Sequence, residues 1–338
     1  MNNRNTYIDI AKGLLVFLVV YGHSIQFGFG YEYGESYGCL TDYVFRMIYS
    51  FHMPSFMAIS GYLFYYSNKR NIKEIILSRL ISIGIPYLTY CSIMVLILLP
   101  AKYNEAFGLI LGTYKSGFWF LPSVMFNCIT VSLLTYISRK KRKVIALLLS
   151  FVIIYTIIPE YIIDGKYTCM YTCFVTGYLV NMLKSKDLII KRSAYIIPIA
   201  VIALIICSLF YDSSMYVYSK ELINNGTFNY QWIYDETRRY IVRIFGSISF
   251  MYIIRHDILS KWLKKTMCNL SRYSLGVYCA STIILTVYYK AIGNMNINIP
   301  HNYIYPIILA IAITSILYKF FCYCEKSNIL KTLFLGGR

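Results

Sequence analysis

Long apolar stretches recur along the whole chain and are separated by short polar connections. A stretch of about 20 apolar residues is long enough to cross a lipid bilayer as an α-helix. Ten stretches approach or reach that length, near residues 8–28, 43–65, 80–99, 118–137, 144–159, 167–183, 194–211, 240–254, 273–292 and 303–323. The pattern therefore predicts an all-α fold, a polytopic membrane bundle of about ten transmembrane helices that forms one domain over residues 1–338.

Hydropathy alone is ambiguous for three stretches, because 144–159 and 240–254 are short and 167–183 is polar. The distribution of lysine and arginine resolves them. Most of these residues lie in alternate connections, namely the N-terminus, 66–79, 138–143, 184–193, 255–272 and the C-terminal tail. The connection at 29–42, by contrast, contains none. Because positively charged loops stay in the cytoplasm, the alternation predicts ten spans with both termini cytoplasmic.

The composition agrees with a membrane protein. Of 338 residues, 58% are apolar and 14% are charged, whereas a soluble domain carries about 25% charged residues. The net charge of +18 follows the alternation of the connections. It is therefore a signal of topology, and nucleic acid is not an expected partner.

The ten cysteines lie mostly within apolar stretches, where free cysteine acts as a small packing residue. The four histidines show no ligand spacing with them. A metal site is therefore not expected.

The first apolar stretch contains two ionisable residues. Lys12 and His23 are eleven residues apart, which on an α-helix is three turns plus about 20°, so both lie on one face about 16 Å apart. An ionisable residue at membrane depth is a functional-site hypothesis. His52 is a second buried imidazole in the second stretch, and its position alone fits a structural role better than catalysis.

A series of short motifs runs in order through the predicted spans. They are Asp9-x-x-Lys12-Gly13 with Gly22-His23-Ser24, Phe51-His52-Met53-Pro54, Ile59-Ser60-Gly61-Tyr62-Leu63, Arg79 seven residues before Pro86-Tyr87, Phe118-Trp119-Phe120-Leu121-Pro122, Gly177-Tyr178, and Ser271 to Tyr278. Ser60-Gly61 is expected to allow close approach of two helices. In this order the motifs resemble the acyltransferase-3 family of bacterial integral-membrane acyltransferases, and within it the sugar O-acetyltransferases.

The chain also departs from the family pattern. Many members have arginine where this chain has Lys12, which keeps the charge but loses the bidentate fork. A second basic residue of the family is replaced by Ser82, and a late histidine by Ser281.

The resemblance implies transfer of an acyl group, usually acetyl from acetyl-CoA, to a hydroxyl of a surface glycan or its lipid-linked precursor. Such an enzyme lies in the bacterial cytoplasmic membrane, in contact with its lipids, and uses acetyl-CoA as a co-substrate without a permanently bound cofactor. By the resemblance His23 is the catalytic residue. Its imidazole is either the general base or a transient carrier of the acyl group.

Lys12 and Arg79 lie at the predicted cytoplasmic ends of the first and third spans. There they either bind the phosphates of CoA or act as snorkelling anchors at the membrane surface. The supporting candidates are Asp9, His52, Ser60, Trp119, Arg46, Arg243 and Tyr278. Arg46 and Arg243 lie toward the predicted outer side, where they either bind an anionic precursor or neutralise a buried carboxylate.

A transporter or flippase of a lipid-linked sugar is the alternative function. It shares the apolar helices, the buried cations and the aromatic outer connection at 212–239, which suits either sugar stacking or an interfacial aromatic belt. The sequence shows no repeat symmetry, which such transporters commonly have. Release of CoA from acetyl-CoA by the purified protein distinguishes the two functions.

Overall fold

The computed structural model of the protein describes residues 6–28, 39, 42–68, 71–138, 140–158, 165–168, 170–183, 196–211, 223–224, 227–228, 230–255, 259–294 and 303–337. Within them the α-helices are α1 Thr6–Gly28, α2 Tyr43–Ser67, α3 Ile72–Arg79, α4 Ile85–Leu98, α5 Ala106–Ser116, α6 Phe120–Ile137, α7 Lys141–Ile157, α8 Gly165–Thr168, α9 Tyr171–Met182, α10 Ile196–Leu209, α11 Tyr230–Arg255, α12 Lys261–Ser271, α13 Ser274–Asn294, α14 Ile304–Cys324 and α15 Asn328–Leu335.

The described residues also form three shorter helical turns. A π-helical turn, Leu80–Gly84, joins α3 to α4, and two 3₁₀ turns follow α4 at Leu99–Ala101 and Tyr103–Glu105. Two strands of two residues each, β1 Ile223–Asn224 and β2 Thr227–Phe228, pair antiparallel. Each of the ten predicted apolar stretches coincides with a helix, so the helical fold class is confirmed.

Several helices are long and apolar enough to cross a membrane. Four meet this description in the part of the chain that the structure describes: Thr6–Phe27, Ile72–Leu98, Phe120–Ile137 and Ile304–Cys324. The pair α12 and α13, bent by 84° at residues 272–273, makes a fifth if it counts as one span. The length and composition of these helices indicate a membrane protein. The number of ten spans and the side of each terminus stay predictions.

Four helices lie wholly where the sequence pattern predicts connections or a tail. These are α3, α5, α12 and α15. In α12, Met267 and Leu270 are buried while Lys261 and Trp262 are exposed. Such short amphipathic helices are missed by a search for continuous apolar stretches, because only one face of each is apolar.

The chain divides into two compact units. The first comprises Met1–Phe45, Arg79–Leu121 and Leu259–Arg338, and the second comprises Arg46–Ser78 and Pro122–Ile258. In the first unit α1 packs against α12, α13 and α14, while α4 packs against α5 and α15. In the second unit α10 packs on α11, and α9 contacts both α7 and α11.

Glycine allows the closest helix contact of the first unit. A Cβ atom at Gly13 would collide with the backbone carbonyl of Met267, so the backbones of α1 and α12 touch at this point. Gly13 follows Lys12 directly, and the glycine of the first motif is therefore explained by packing. Its contact holds α12 beside the Lys12 end of α1.

The second unit has a reciprocal contact of the same kind between α2 and α9. A Cβ at Gly61 would collide with the carbonyl of Phe174, and a Cβ at Gly177 would collide with the carbonyl of Ala58. Asn181 also donates to the carbonyl of Tyr62 at 2.9 Å. Small residues permit such close backbone approach in membrane helices. The prediction of close helix approach at Ser60-Gly61 is confirmed.

Candidate functional site

The helix α1 carries the two ionisable residues of the first motif. It continues without interruption from Thr6 to Gly28, and it contains no proline. Lys12 is half-buried near its beginning, and His23 near its end is only 6% exposed. An unbroken α-helix separates residues 12 and 23 by about 16 Å along its axis. Asp9 is half-buried in the first turn, where a negatively charged carboxylate interacts favourably with the helix dipole.

A side-chain hydrogen bond orients the imidazole of His23. Its Nδ1 lies 3.2 Å from Oε1 of Gln26, which is one helical turn further along α1 and buried. An amide oxygen only accepts hydrogen bonds, so Nδ1 carries the proton. The lone pair of the neutral ring is then on Nε2. The sequence analysis did not predict Gln26, although a polar residue three positions after a buried histidine in an apolar stretch is a usable signal.

Aromatic side chains surround the His23 end of α1. Phe27 lies 6.4 Å from His23 between ring centroids, and it stacks on Tyr289 of α13 at 5.7 Å. The hydroxyl of Tyr289 donates to the backbone carbonyl of Ser24 at 3.0 Å. These contacts tie α13 to the end of α1 that bears the histidine.

Arg79 lies where the third span changes its helical hydrogen-bonding pattern. It is the last residue of α3, and the π turn Leu80–Gly84 follows directly. The backbone N–H of Ile85 bonds the carbonyl of Leu80, five residues earlier. Pro86 explains the change, because it lacks an N–H and its ring crowds the carbonyl of Ser82 four residues before it. Single π turns of this kind occur frequently at functional sites.

The structure brings together the Trp119 segment and Tyr278. Phe118 has a positive φ of 47° in the turn before α6, a backbone conformation that is costly for a residue with a side chain. Its ring and that of Phe120 lie 6.4 and 6.0 Å from the ring of Tyr278. Trp119 is half-buried and contacts Phe120 edge-on at 6.1 Å.

The late motif that begins at Ser271 has a structural role. Arg272 pairs with Glu325 at 2.8 Å, and the hydroxyl of Tyr273 donates to the other oxygen of Glu325 at 2.6 Å. The Tyr273 hydroxyl and the Arg272 guanidinium hold the pKa of Glu325 below its usual value. A Cβ at Gly276 would collide with the ring of Phe321 on α14. The motif thus joins the bend between α12 and α13 to the end of α14.

His52 and Ser60 lie on α2 in the second unit, and both bond their own helix. The Nδ1–H of His52 donates to the carbonyl of Ile48 at 2.8 Å, and Tyr49 contacts the ring edge-on at 4.6 Å. The hydroxyl of Ser60 donates to the carbonyl of Phe56 at 2.8 Å. These bonds agree with the structural interpretation of His52.

The helices α2 and α11 of the second unit both carry arginines. Arg46 is half-buried and Arg243 is 5% exposed. The buried carboxylate of α11, Glu236, pairs with Arg239 at 2.5 Å. Arg239 thus neutralises this carboxylate, and the two roles expected for Arg46 and Arg243 stay predictions. Of the aromatic connection 212–239, residues 212–222, 225–226 and 229 lie outside the described residues.

Comparison with known proteins identifies relatives of the chain. A family model described as an acyltransferase domain matches residues 5–320. Nodulation protein NolL of Mesorhizobium japonicum is 26% identical over 297 residues, which cover 84% of this chain and 75% of the relative. Nodulation protein NolL of Sinorhizobium fredii is 36% identical over 134 residues, which cover 37% of this chain and 35% of the relative. No solved structure is significantly similar to the chain.

Proposed function

Because the chain belongs to the acyltransferase-3 family, we propose that it transfers acetyl from acetyl-CoA to a hydroxyl of a cell-surface glycan or of its lipid-linked precursor. The observation that carries this proposal is His23, buried on the same uninterrupted helix as Lys12 and oriented by Gln26 at 3.2 Å. Acetyl-CoA is a co-substrate in this account, and no permanently bound cofactor takes part.

In the direct mechanism, Nε2 of His23 is the general base. It accepts the proton of the acceptor hydroxyl while the oxygen attacks the carbonyl carbon of the thioester. The carbon–sulfur bond then breaks, and the CoA thiolate takes the proton from the imidazolium. The products are the acetyl ester, free CoA and neutral His23, so the residue is ready for the next turnover.

In the covalent mechanism, Nε2 of His23 itself attacks the thioester and carries the acetyl group. The carbon–sulfur bond breaks, which leaves an acetyl-imidazolium and the CoA thiolate. The acceptor hydroxyl then attacks the acetyl carbon, the bond to Nε2 breaks, and the hydroxyl proton passes to the thiolate, so that the products are the acetyl ester, CoA thiol and neutral His23. Both mechanisms need the lone pair on Nε2, which the hydrogen bond from Nδ1 to Gln26 favours. Incubation with acetyl-CoA alone, rapid denaturation at neutral pH and mass spectrometry distinguish them, because only the covalent mechanism leaves acetyl on His23.

The donor is proposed to bind from the cytoplasmic side. Lys12 and Arg79 would hold the phosphates of CoA with charge-assisted hydrogen bonds. The separation of about 16 Å between Lys12 and His23 along α1 suits an extended pantetheine arm that brings the thioester to membrane depth. The protein would be a multi-pass protein of the bacterial cytoplasmic membrane, with ten spans and both termini cytoplasmic.

This topology is supported by the alternation of basic connections along the sequence. Membrane-impermeant labelling of single cysteines introduced at 138–143 and 212–239 tests it. We expect intact cells to label the second position only. Labelling at 138–143 would contradict the proposed topology.

The acceptor is proposed to be a sugar that reaches the aromatic residues. Trp119 suits stacking on a sugar ring, because indole combines an apolar face with a hydrogen-bonding edge, and the buried Tyr278 would support this aromatic segment. Within the second unit, and as a separate proposal, Arg46 and Arg243 suit an anionic group such as the phosphate of a lipid carrier. The acceptor would then be a glycan or glycolipid rather than a free lipid alcohol.

The proposal is tested with the purified protein in lipid nanodiscs. Acetyl-CoA and a total glycolipid extract of the host are supplied, and release of CoA thiol is followed. Mass spectrometry of surface glycans from cells with and without the gene then identifies the acetylated product. A transporter of a lipid-linked sugar would release no CoA thiol and would add no acetyl mass to the glycans.

A further inference from the structure

The helix α15 ends in a cap that only glycine can form without strain. Gly336 has a φ of +70°. Its N–H bonds the carbonyl of Thr332 at 3.1 Å, and the N–H of Gly337 bonds the carbonyl of Lys331 at 3.1 Å. The first bond reaches four residues back, as in the αL C-cap motif, and the second reaches six residues back. Gly337 also has a positive φ, of +74°.

The cap at Gly336 rests against the π turn of the third span. A Cβ atom at Gly336 would collide with the carbonyl oxygen of Ser82 and would lie 2.7 Å from its Cα. A Cβ at Gly337, by contrast, would meet nothing closer than the hydroxyl of Thr332 at 3.8 Å. The two neighbouring glycines thus share a backbone conformation, but a side chain would collide with the π turn only at Gly336.

Two aromatic contacts hold α15 at this place. The hydroxyl of Tyr90 on α4 donates to the carbonyl of Phe334 at 3.3 Å, and the two rings lie 5.7 Å apart. The ring of Phe334 also lies 5.8 Å from that of Phe320 on α14. The position of the cap on Ser82 is therefore fixed by side chains on both neighbouring helices.

The π turn decides the direction in which Arg79 points relative to α4. One residue of an α-helix corresponds to about 100° of rotation and 1.5 Å of rise. A π turn inserts one residue into the helical repeat. If Leu80–Gly84 relaxed to ordinary α-helix, Arg79 would turn by about 100° around the helix axis relative to α4.

We propose that Gly336 is a positioning residue for the donor site. Pro86 prevents the α-helical bond to the Ser82 carbonyl, and Gly336 seats the end of α15 on that same carbonyl. The cap thereby fixes the shape of the π turn and so aims the guanidinium of Arg79. The inference rests on the proposed function, in which Arg79 binds a phosphate of CoA. It assigns to α15 a role in donor affinity and none in the chemical step.

The test compares Gly336→Ala with Gly337→Ala in nanodiscs, with acetyl-CoA as the donor. Both substitutions place alanine at a positive φ, so they share the backbone penalty. We expect Gly336→Ala to raise the KM for acetyl-CoA about tenfold or more. This is the effect of losing one well-aimed hydrogen bond to a charged group. Its kcat should stay within about threefold of wild type, and Gly337→Ala should stay within about threefold in both constants.

A double variant separates positioning from a general loss of structure. In Gly336→Ala/Arg79→Ala the KM should equal that of Arg79→Ala alone, because the effect of Gly336 passes through Arg79. If Gly336→Ala does not fold, Tyr90→Phe takes its place in the test, because it removes only the hydrogen bond to Phe334 that holds α15. It should also raise the KM for acetyl-CoA. Equal constants for Gly336→Ala and Gly337→Ala, or multiplicative effects in the double variant, would overturn the inference. Absence of CoA release by the wild-type protein would instead overturn the proposed function.

Discussion

The hydrogen bond between His23 and Gln26 gives the sharpest test of how the site works. Gln26→Met replaces the amide by an unbranched apolar side chain whose thioether is at most a weak acceptor for Nδ1–H. A buried donor left without its acceptor costs about 1–3 kcal/mol. At 1.4 kcal/mol per factor of ten, this corresponds to about 5- to 150-fold. We expect kcat to fall by that factor, because the ring loses its preferred tautomer and orientation, while the KM for acetyl-CoA stays unchanged.

Gln26→Glu is the matched control for this substitution. A carboxylate oxygen also accepts from Nδ1–H, so the lone pair stays on Nε2 and turnover should remain within about fivefold of wild type. The assay is initial-rate release of CoA thiol from nanodisc-embedded protein at varied acetyl-CoA, normalised to folded protein. Wild-type kcat in Gln26→Met would refute the role of the hydrogen bond. Equal loss in both variants would show that the amide acts through its N–H₂ group instead.

Three further predictions concern the donor, the packing and the stability. Lys12→Ala should raise the KM for acetyl-CoA by about tenfold without changing the membrane yield, because it removes a charged hydrogen bond to a CoA phosphate. An unchanged KM would show that Lys12 acts only as a topology anchor. Gly61→Ala should lower the free energy of unfolding by about 1–3 kcal/mol, because the added methyl collides with α9. Gly112→Ala is the control and should not lower it, because its methyl meets no atom within 4 Å. Equal stabilities of the two variants would contradict the contact between Gly61 and α9. Glu325→Gln should destabilise by about 1 kcal/mol near neutral pH. Because the pKa of Glu325 is lowered in the folded state, the stabilising effect is complete above the unfolded value and disappears as pH falls through the folded value. A difference in melting temperature between Glu325→Gln and wild type that does not shrink in acid would contradict it.

The helices of the bundle were largely predictable from the sequence. Every long apolar stretch became a helix, because a backbone in lipid has to satisfy its own hydrogen bonds. The short amphipathic helices α12 and α15 were not predicted, since their apolar faces are visible only with a 3.6-residue period. The π turn was also missed, although Pro86 marks the place where the α-helical pattern has to change.

The contacts of the candidate site were less predictable, because they join distant parts of the chain. The motif glycines Gly13 and Gly61 were recognisable, but the sequence does not say that Met267 and Phe174 lie against them. The pairing of Phe118 with Tyr278 likewise depends on a positive φ that no sequence pattern indicates for phenylalanine. Gln26 was missed too, although its spacing from His23 on one helix can be read directly from the sequence.

The most direct test of acyl transfer by His23 is the turnover of His23→Ala. The measurement is the amount of acetylated glycan formed per unit of membrane protein at saturating acetyl-CoA. The control is His52→Ala, which also removes a buried imidazole. General-base catalysis contributes about 10²–10⁴ in rate, so His23→Ala should insert normally and lose at least about 10² in turnover. His52→Ala should lower stability or donor binding and keep the chemical step. If His23→Ala keeps more than about a tenth of wild-type turnover, His23 is not the catalytic residue.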